Sequence, residues 1–379
     1  MSAGPLLLDF GPVSDCCTDA ALESLHKAAG DPQGDDPSIW RPHESALIRD
    51  LLEKFSDAGL EKLAALKADV EAWMAGARHV PGLKLPPKPD LPVQYPWASE
   101  QVLAVEKFLA AKPLAEWYAE DWQALVDMLV QKHLPTALLA KDAERYVVQC
   151  YSMGGVQAVH GELPAGAAAT LAGGLPKTVG ALVHSAGLAP WQRSVLDYAK
   201  LRCAENVVAL TDANRIALRR VILNHQERRF LGDQTATVEQ LQQQLFDHFG
   251  SWNRDWRRIA VTEAGENLNQ GVIGSLAPGQ LVRRLEMYVG ACAYCKKIDG
   301  RVLKVVSPDA KDKDGENEVW VGKTNIGRSA SPRKRVGGQL IDRLPSERWW
   351  PAAGVIHPHC RGRWTVLAET PEKDILPGA

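Results

Sequence analysis

Two short stretches of this chain carry residue types that could hold a metal. Cys292-Ala-Tyr-Cys295 places two sulfurs two residues apart. Far downstream, His357-Pro-His-Cys360-Arg361 repeats that spacing with an imidazole and a sulfur. Three thiolates and one neutral imidazole make a complete tetrahedral set for Zn²⁺. His359 is adjacent to Cys360 and would chelate with more strain, so Cys292, Cys295, His357 and Cys360 are the expected ligands. A closed four-ligand site supplies folding energy, not chemistry. The competing reading is a packed, hydrogen-bonded cluster of reduced thiols.

A second group of polar residues lies upstream. Glu263, Asn267 and Gly271 recur at i, i+4 and i+8, on one face of a helix that also contains Arg258 and Thr262. Gly271 costs about 1 kcal/mol relative to Ala in a helix interior, which suggests that another backbone comes close. Glu263 has no cation three or four positions away, and Glu266 is a like charge. Its partner is therefore expected from another helix: Arg202, Arg219 or Arg220. Glu263 could be a catalytic carboxylate, but a group that locks helices together is the plainer reading.

Other catalytic patterns fail. His160-Gly-Glu162 with Cys292-x2-Cys295 is a poor imitation of a zinc deaminase: the gap is wide, and Ala291 stands where proline belongs. There is no P-loop, no Gly-x-Ser-x-Gly and no His-Glu-x2-His. No catalytic residue is assigned. The segment 323–348 is locally basic, and Lys323, Arg328, Arg333, Lys334 and Arg335 are candidate contacts to nucleic acid, where each phosphate contact makes affinity salt-sensitive. A solvated loop explains the same charges.

The elements that would position these groups suggest an α+β protein. It is mostly helical in its N-terminal and central regions, with a small C-terminal β-rich module closed by the Cys/His clasp. The chain divides into an acidic arm and helices (1–80), a proline-rich linker (81–97), a helical region (98–153) and a Gly/Ala-rich hinge (154–189). A helical core (190–284), the β-rich module (285–370) and a tail (371–379) follow. Ser99 is placed to cap one helix and Pro113 to start the next. Two helices, Trp191–Leu210 and Asp212–Phe230, are expected, with Thr211 or Asp212 as a cap. Thr237-Val-Glu-Gln240 is a capping box for a third helix closed by Gly250. A fourth carries the Glu263 stripe. Beyond Leu285 the period shifts toward two, and Asp299-Gly300 reads as a hairpin turn between 286–295 and the strand that follows. Residues 318–322 and 363–369 read as further strands.

Bulk properties set limits. Net charge is −2, which argues neither for nor against nucleic acid. No apolar run is long enough to cross a membrane. Seven cysteines, sparse and odd in number, suit thiols or a metal better than a disulfide framework. The adjacent pair Cys16-Cys17 reads as two ordinary thiols. The arm before residue 37 is acidic, and its N-terminus lacks a basic region of the secretory kind.

In order and spacing, the motifs resemble those of the head morphogenesis, or minor head, proteins of tailed bacteriophages, the phage Mu F-like group. The resemblance rests on Arg258-Ile-Ala-Val-Thr-Glu263, Asn267-Leu-Asn269-Gln-Gly271, Cys292-x2-Cys295-x3-Asp299-Gly300 and His357-Pro-His-Cys360-Arg361. It covers about 195–365. That family usually ends in Cys-Arg-Cys, and here Gly362 replaces the last cysteine. The resemblance implies a virion protein of the head, near the portal, found in host cytoplasm during assembly. Its expected partners are the portal protein or the major capsid protein, and packaged DNA. An enzyme carried in the head, a nuclease or a peptidoglycan-active protein, is the alternative.

Overall fold

The computed structural model describes residues 46–91, 95–160, 171, 174–286, 291–358 and 360–367, with side chains from Phe55 onward except 56 and 57. The acidic arm, Cys16-Cys17, the deaminase-like His160-Gly-Glu162 beyond its histidine, His359 and the tail lie outside the described residues.

The described chain is mostly helical, with a small sheet confined to its C-terminal part, as an α+β protein. The helices are α1 (Ala46–Met74), α2 (Ser99–Ala111), α3 (Ala119–His133), α4 (Thr136–His160), α5 (Val179–Ala186), α6 (Pro190–Phe230) and α7 (Val238–Gly274). Strand β1 (Leu281–Leu285) precedes a short helix, α8 (Ala293–Ile298). Then come β2 (Val302–Val305), β3 (Glu318–Val319), β4 (Arg333–Val336), β5 (Gln339–Asp342) and β6 (Arg363–Val366). One sheet has the order β3-β2-β1-β6, antiparallel except for the parallel β2–β3 pair. Strands β4 and β5 form a separate antiparallel ribbon.

The chain packs as two compact units. One gathers 144–203 with the chain from 258 onward; the other gathers 54–143 with 204–257. The sequence suggested successive segments, but α6 and α7 each contribute to both units.

Four local expectations change. The predicted break at Thr211 is absent: α6 is continuous, and the Thr211 hydroxyl donates to Val207 O at 2.8 Å, one turn back in its own helix. Asp212 pairs with Arg215 and caps nothing. Gly250 does not end a helix, since α7 runs through it. Ser99 is the first helical residue, and Ala98 is the N-cap, its N–H donating to Gln101 Oε1 at 2.8 Å. Pro113 precedes only a 3-10 turn, Leu114–Glu116. Thr237 does accept from Gln240 N at 3.2 Å, as the capping pattern requires.

In the first unit, α4 and α7 meet backbone to backbone. A Cβ on Gly271 would lie 2.0 Å from Tyr151 O, and one on Gly154 would lie 1.9 Å from Leu268 O. Tyr146 donates to Ala260 O at 2.8 Å across the same helix pair. Gly271 is thus fixed by close approach, as its cost in a helix implied.

The same helix contains a contrasting glycine. A Cβ on Gly250 would meet nothing within 4 Å. Gly250→Ala is expected to stabilise by about 0.5–1 kcal/mol through helix propensity and a less flexible unfolded chain. Gly271→Ala is expected to destabilise by about 1–3 kcal/mol through overpacking. Urea denaturation of both variants checks this, and a shift of the same sign in both would refute the close approach.

Candidate metal centre

Three of the four sequence-predicted ligands, Cys292, Cys295 and His357, come together in the first unit. Cys292 is the N-cap of α8, and its Sγ accepts from Cys295 N at 3.4 Å. This helical turn corrects the expected strand through 291–295. On a strand, residues three apart point to opposite faces, whereas a helix start brings both sulfurs to one side. The Asp299-Gly300 turn is real, with Gly300 at φ +73°, but the strand paired with β2 is β1, not 286–295. Residues 287–290 lie outside the described residues. Asp299 Oδ1 accepts Glu286 N at 2.6 Å, tying the turn to the end of β1.

His357 Nε2 lies 3.4 Å from Cys292 Sγ and 3.3 Å from Cys295 Sγ. For tetrahedral zinc with bonds of roughly 2.0–2.3 Å, the expected separation between sulfur and nitrogen is about 3.6 Å. His357 Nδ1 is 2.7 Å from Pro358 O. A carbonyl only accepts, so Nδ1 carries the proton and Nε2 presents its lone pair to the sulfurs. Trp349 stacks on the imidazole at 5.5 Å between ring centroids. Cys292, Cys295 and His357 can therefore hold a metal ion.

Cys360 stands one step away. It groups with Cys295 and Glu286, so Cys295 is shared by two sets of three. Cys360 Sγ lies 3.6 and 3.5 Å from the two Glu286 carboxylate oxygens and 3.7 Å from Arg284 Nη2. Arg284 Nε donates to Glu286 Oε1 at 2.7 Å, and both side chains are fully buried. A Cβ on residue 362 would sit 1.9 Å from Glu286 Oε1, so only glycine fits beside that carboxylate. Asn269 Nδ2 donates to Gly362 O at 2.8 Å and fixes this turn to α7.

The protons of the cluster are unevenly shared. The hydrogen bond from Cys295 holds the Cys292 thiol down to about 3 despite its partial burial. Burial works against ionising Cys360, but the hydrogen bond from Cys295 and the charge of Arg284 hold its thiol below the usual range. Cys295 is held up by its hydrogen bonds to Cys292 and Cys360. Burial and the charge of Cys360 push Glu286 up to about 8.

No family model, no curated protein and no solved structure matches this chain.

The stripe on α7 is equally ordered. Arg202, on α6, donates to Glu263 through Nε at 3.1 Å and Nη2 at 2.7 Å. Of the three arginines expected, it is Arg202 that takes this role. Asn267 Nδ2 donates to Glu263 O at 2.7 Å and to Oε2 at 3.1 Å. Thr262 donates back to Arg258 O at 2.8 Å. Arg202 also faces Glu266 at 3.8 Å. Burial pushes Glu266 up, and its oxygens accept from Gln270 Nε2 at 3.0 Å and Val355 N at 2.7 Å. The crevice beside this network has a volume of about 20 Å³, room for a water but not for a substrate. Its geometry matches a helix lock.

The basic segment is only in part a free cationic surface. Lys323 is 1% exposed. Its Nζ donates to Gly315 O and Glu318 O, both at 2.7 Å, between the rings of Trp320 and Trp350 at 4.8 Å each. Burial pushes this amine down to about 7. Arg328 stacks 3.3 Å from the Trp350 ring centroid and donates to Arg348 O at 2.9 Å. Arg333 pairs with Asp342 at 3.1 Å, and Lys334 pairs with Glu347. Arg335, on the exposed ribbon, has no ion-pair partner among the described residues. Lys323 is thereby removed from the predicted contacts, and charge counting could not show it. Trp320, three residues before the lysine, was the one nearby sign in the sequence; Trp350 reaches it only through the fold.

Sequence reasoning also missed Arg284, Glu286, Glu266 and Asn325. Asn325 Nδ2 donates to Trp350 O at 3.0 Å and Ile356 O at 3.1 Å, holding the segment that delivers His357. Arg284 and Glu286 lie two apart on an extended chain, hence on one face, which was the legible hint.

Removing one member of the buried lock is expected to be costly. Glu263→Gln and Arg202→Met should each destabilise by about 3–5 kcal/mol, with a double-mutant coupling of about 1–3 kcal/mol. Chemical denaturation of the four proteins of the cycle measures it; strictly additive losses would refute a direct pair.

Proposed function

We propose that this chain is a structural protein of the phage head-morphogenesis type, with its C-terminal module closed by a structural zinc ion. One observation carries the reading. The residues that make up the sequence motif, scattered from Glu263 to Cys360, come together in one unit as a connected set of contacts. Glu263 and Asn267 lock α7 to α6. Asn269 reaches the Cys360–Gly362 turn, and Asp299 holds the end of β1 beside that turn. A motif spread over so much sequence but joined in space marks a specified module.

Zinc is the metal that three sulfurs and one imidazole favour, and Nε2 of His357 is oriented for it. Cys360 completes the set from the side that Arg284 and Glu286 support. Gly362, where the family usually has cysteine, supports a four-ligand reading, because Glu286 takes the space that a side chain would need. The role of such a module is to hold surfaces in place near the portal during head assembly, in the virion and beforehand in host cytoplasm. No described helix is long and apolar enough to cross a membrane. DNA contact through the 323–348 segment is the weaker reading, since most of its cations are already engaged.

Elemental analysis of the purified full chain is expected to find about one zinc per molecule. Cys292→Ser and Cys360→Ser should each lose metal and melt at lower temperature, and chelation should lower the wild-type melting temperature. Unchanged metal content and melting in both variants would sink the clasp.

Co-expression with the portal protein of the same phage tests the head role separately. Co-sedimentation with portal or with assembling heads is expected. Zinc without any such association leaves the clasp standing and refutes the head assignment.

A further inference from the structure

Strands β4 and β5 stand apart from the main sheet as a two-stranded ribbon. Gly337 and Gly338, at φ +56° and +85°, close it as a two-residue type I′ turn. A ribbon of two such short strands is marginally stable in water on its own. Every residue of β5 is exposed, and Val336, Leu340, Ile341 and Leu344 are 41% to 63% exposed.

The hydrogen-bond register shows which edge of the ribbon is open. Arg343 N donates to Pro332 O at 2.8 Å, one step beyond the Arg333–Asp342 pair. Bonded pairs alternate along an antiparallel ladder, so Lys334–Ile341 and Val336–Gln339 are bonded pairs as well. The main-chain groups of Leu340 and Asp342 therefore point away from β4, and they have no hydrogen-bond partner among the described residues. The outer edge of β4 is partly closed. Ser331 Oγ accepts Arg333 N at 3.3 Å and donates to Arg333 O at 2.8 Å. On β5, by contrast, two N–H and two C=O groups stand in line for one more strand.

Charge selects the occupant. From Arg328 to Arg348 there are six cations and two carboxylates. Arg333 meets Asp342 and Lys334 meets Glu347, which leaves a cationic excess that includes Arg335 and Arg343. A second copy of the ribbon would set this excess against itself. The arm before residue 37 has the opposite balance, with seven carboxylates against Lys27, and it contains the apolar stretch Leu6-Leu-Leu-Asp-Phe10. The arm leads into α1, whose first turns belong to the same unit as the ribbon. At roughly 3.3 Å per residue, the chain between Phe10 and Ala46 can reach about 115 Å, well beyond the width of one domain.

We propose that Leu6–Phe10 of the acidic arm adds to the open edge of β5 as a third strand, with arm carboxylates beside Arg335 and Arg343. The main chain of Leu340 and Asp342 would supply the hydrogen bonds, and Leu340 and Ile341 an apolar contact on either face. The covalent tether makes this an intramolecular event, which raises the effective concentration of the arm. The docking depends neither on the metal cluster nor on the function proposed above.

Hydrogen exchange of the full chain, followed by mass spectrometry, reads both partners. Fragments covering 6–10 and 339–344 are expected to exchange about tenfold or more slowly than unstructured chain. Leu340→Pro removes an outward N–H but no bond of the β4–β5 ladder, and should abolish the protection of 6–10. Arg335→Glu should reduce it. Leu8→Pro/Asp9→Lys in the arm should in turn speed exchange in 339–344. Three results overturn the proposal: fast exchange of 6–10 in the wild type, exchange in 339–344 that the arm variant leaves unchanged, or protection of 339–344 that rises with protein concentration, which would make a second copy the occupant. If Leu340→Pro disrupts the ribbon, the arm variant, which leaves the ribbon's own sequence intact, decides alone.

Discussion

The buried ion pair between Arg202 and Glu263 is the constraint on which the clasped unit depends. An unpaired charge in that position would cost several kcal/mol, so neither partner can be lost alone where α6 packs on α7. Glu266, one turn further along α7, extends the network into the C-terminal module. It accepts the Val355 N–H, two residues before His357. Gln270, a turn beyond, donates from Nε2 to Glu266 and accepts Gly322 N–H on Oε1 at 2.8 Å. The Cys/His cluster is therefore positioned from the helices as well as from the sheet. The polar face of α7 is the common frame for the ion pair, for the Asn269 contact to the Cys360 turn and for the loop that carries Lys323.

Much of this arrangement was legible, because the physics was local or the spacing was diagnostic. Glu263 without an intrahelical cation implied a partner elsewhere, and Arg202 supplies it. Gly271 in a helix interior implied contact with another backbone. Of the four residues that the Cys and His spacings named, Cys292, Cys295 and His357 come together, while Cys360 groups with Cys295 and Glu286. The misreadings share a cause: the sequence shows which residues can do something, not which alternative the packing selects. Thr211 can cap a helix, but its hydroxyl is equally content one turn back, and a continuous α6 left no end to cap. Cys292-Ala-Tyr-Cys295 alternates like a strand, yet only a helical turn puts both sulfurs on one side. Two-unit packing was hidden for a related reason. The apolar periodicity of a long helix marks a buried face but not which neighbour buries it.

The basic segment shows how poorly charge along a sequence reports charge on a surface. Lys323 is enclosed by two indoles and two carbonyls, where its ammonium serves the loop that holds it. Arg328 covers an indole face. Lys334 and Arg333 lie beside carboxylates of the same ribbon or the turn after it. A cation counts toward an external anion only when no internal partner has claimed it.

The meeting of α4 and α7 at Gly154 and Gly271 bears on how this fold can diverge. Each missing side chain makes room for the opposite main chain, not for a movable side chain. Rotamer changes cannot relieve an added methyl group, and a shift of one helix changes the space at both positions together. The two glycines therefore form a single evolutionary unit. Chains that share this packing should keep both or lose both, and that covariation would trace the fold in sequences whose cysteines have drifted away.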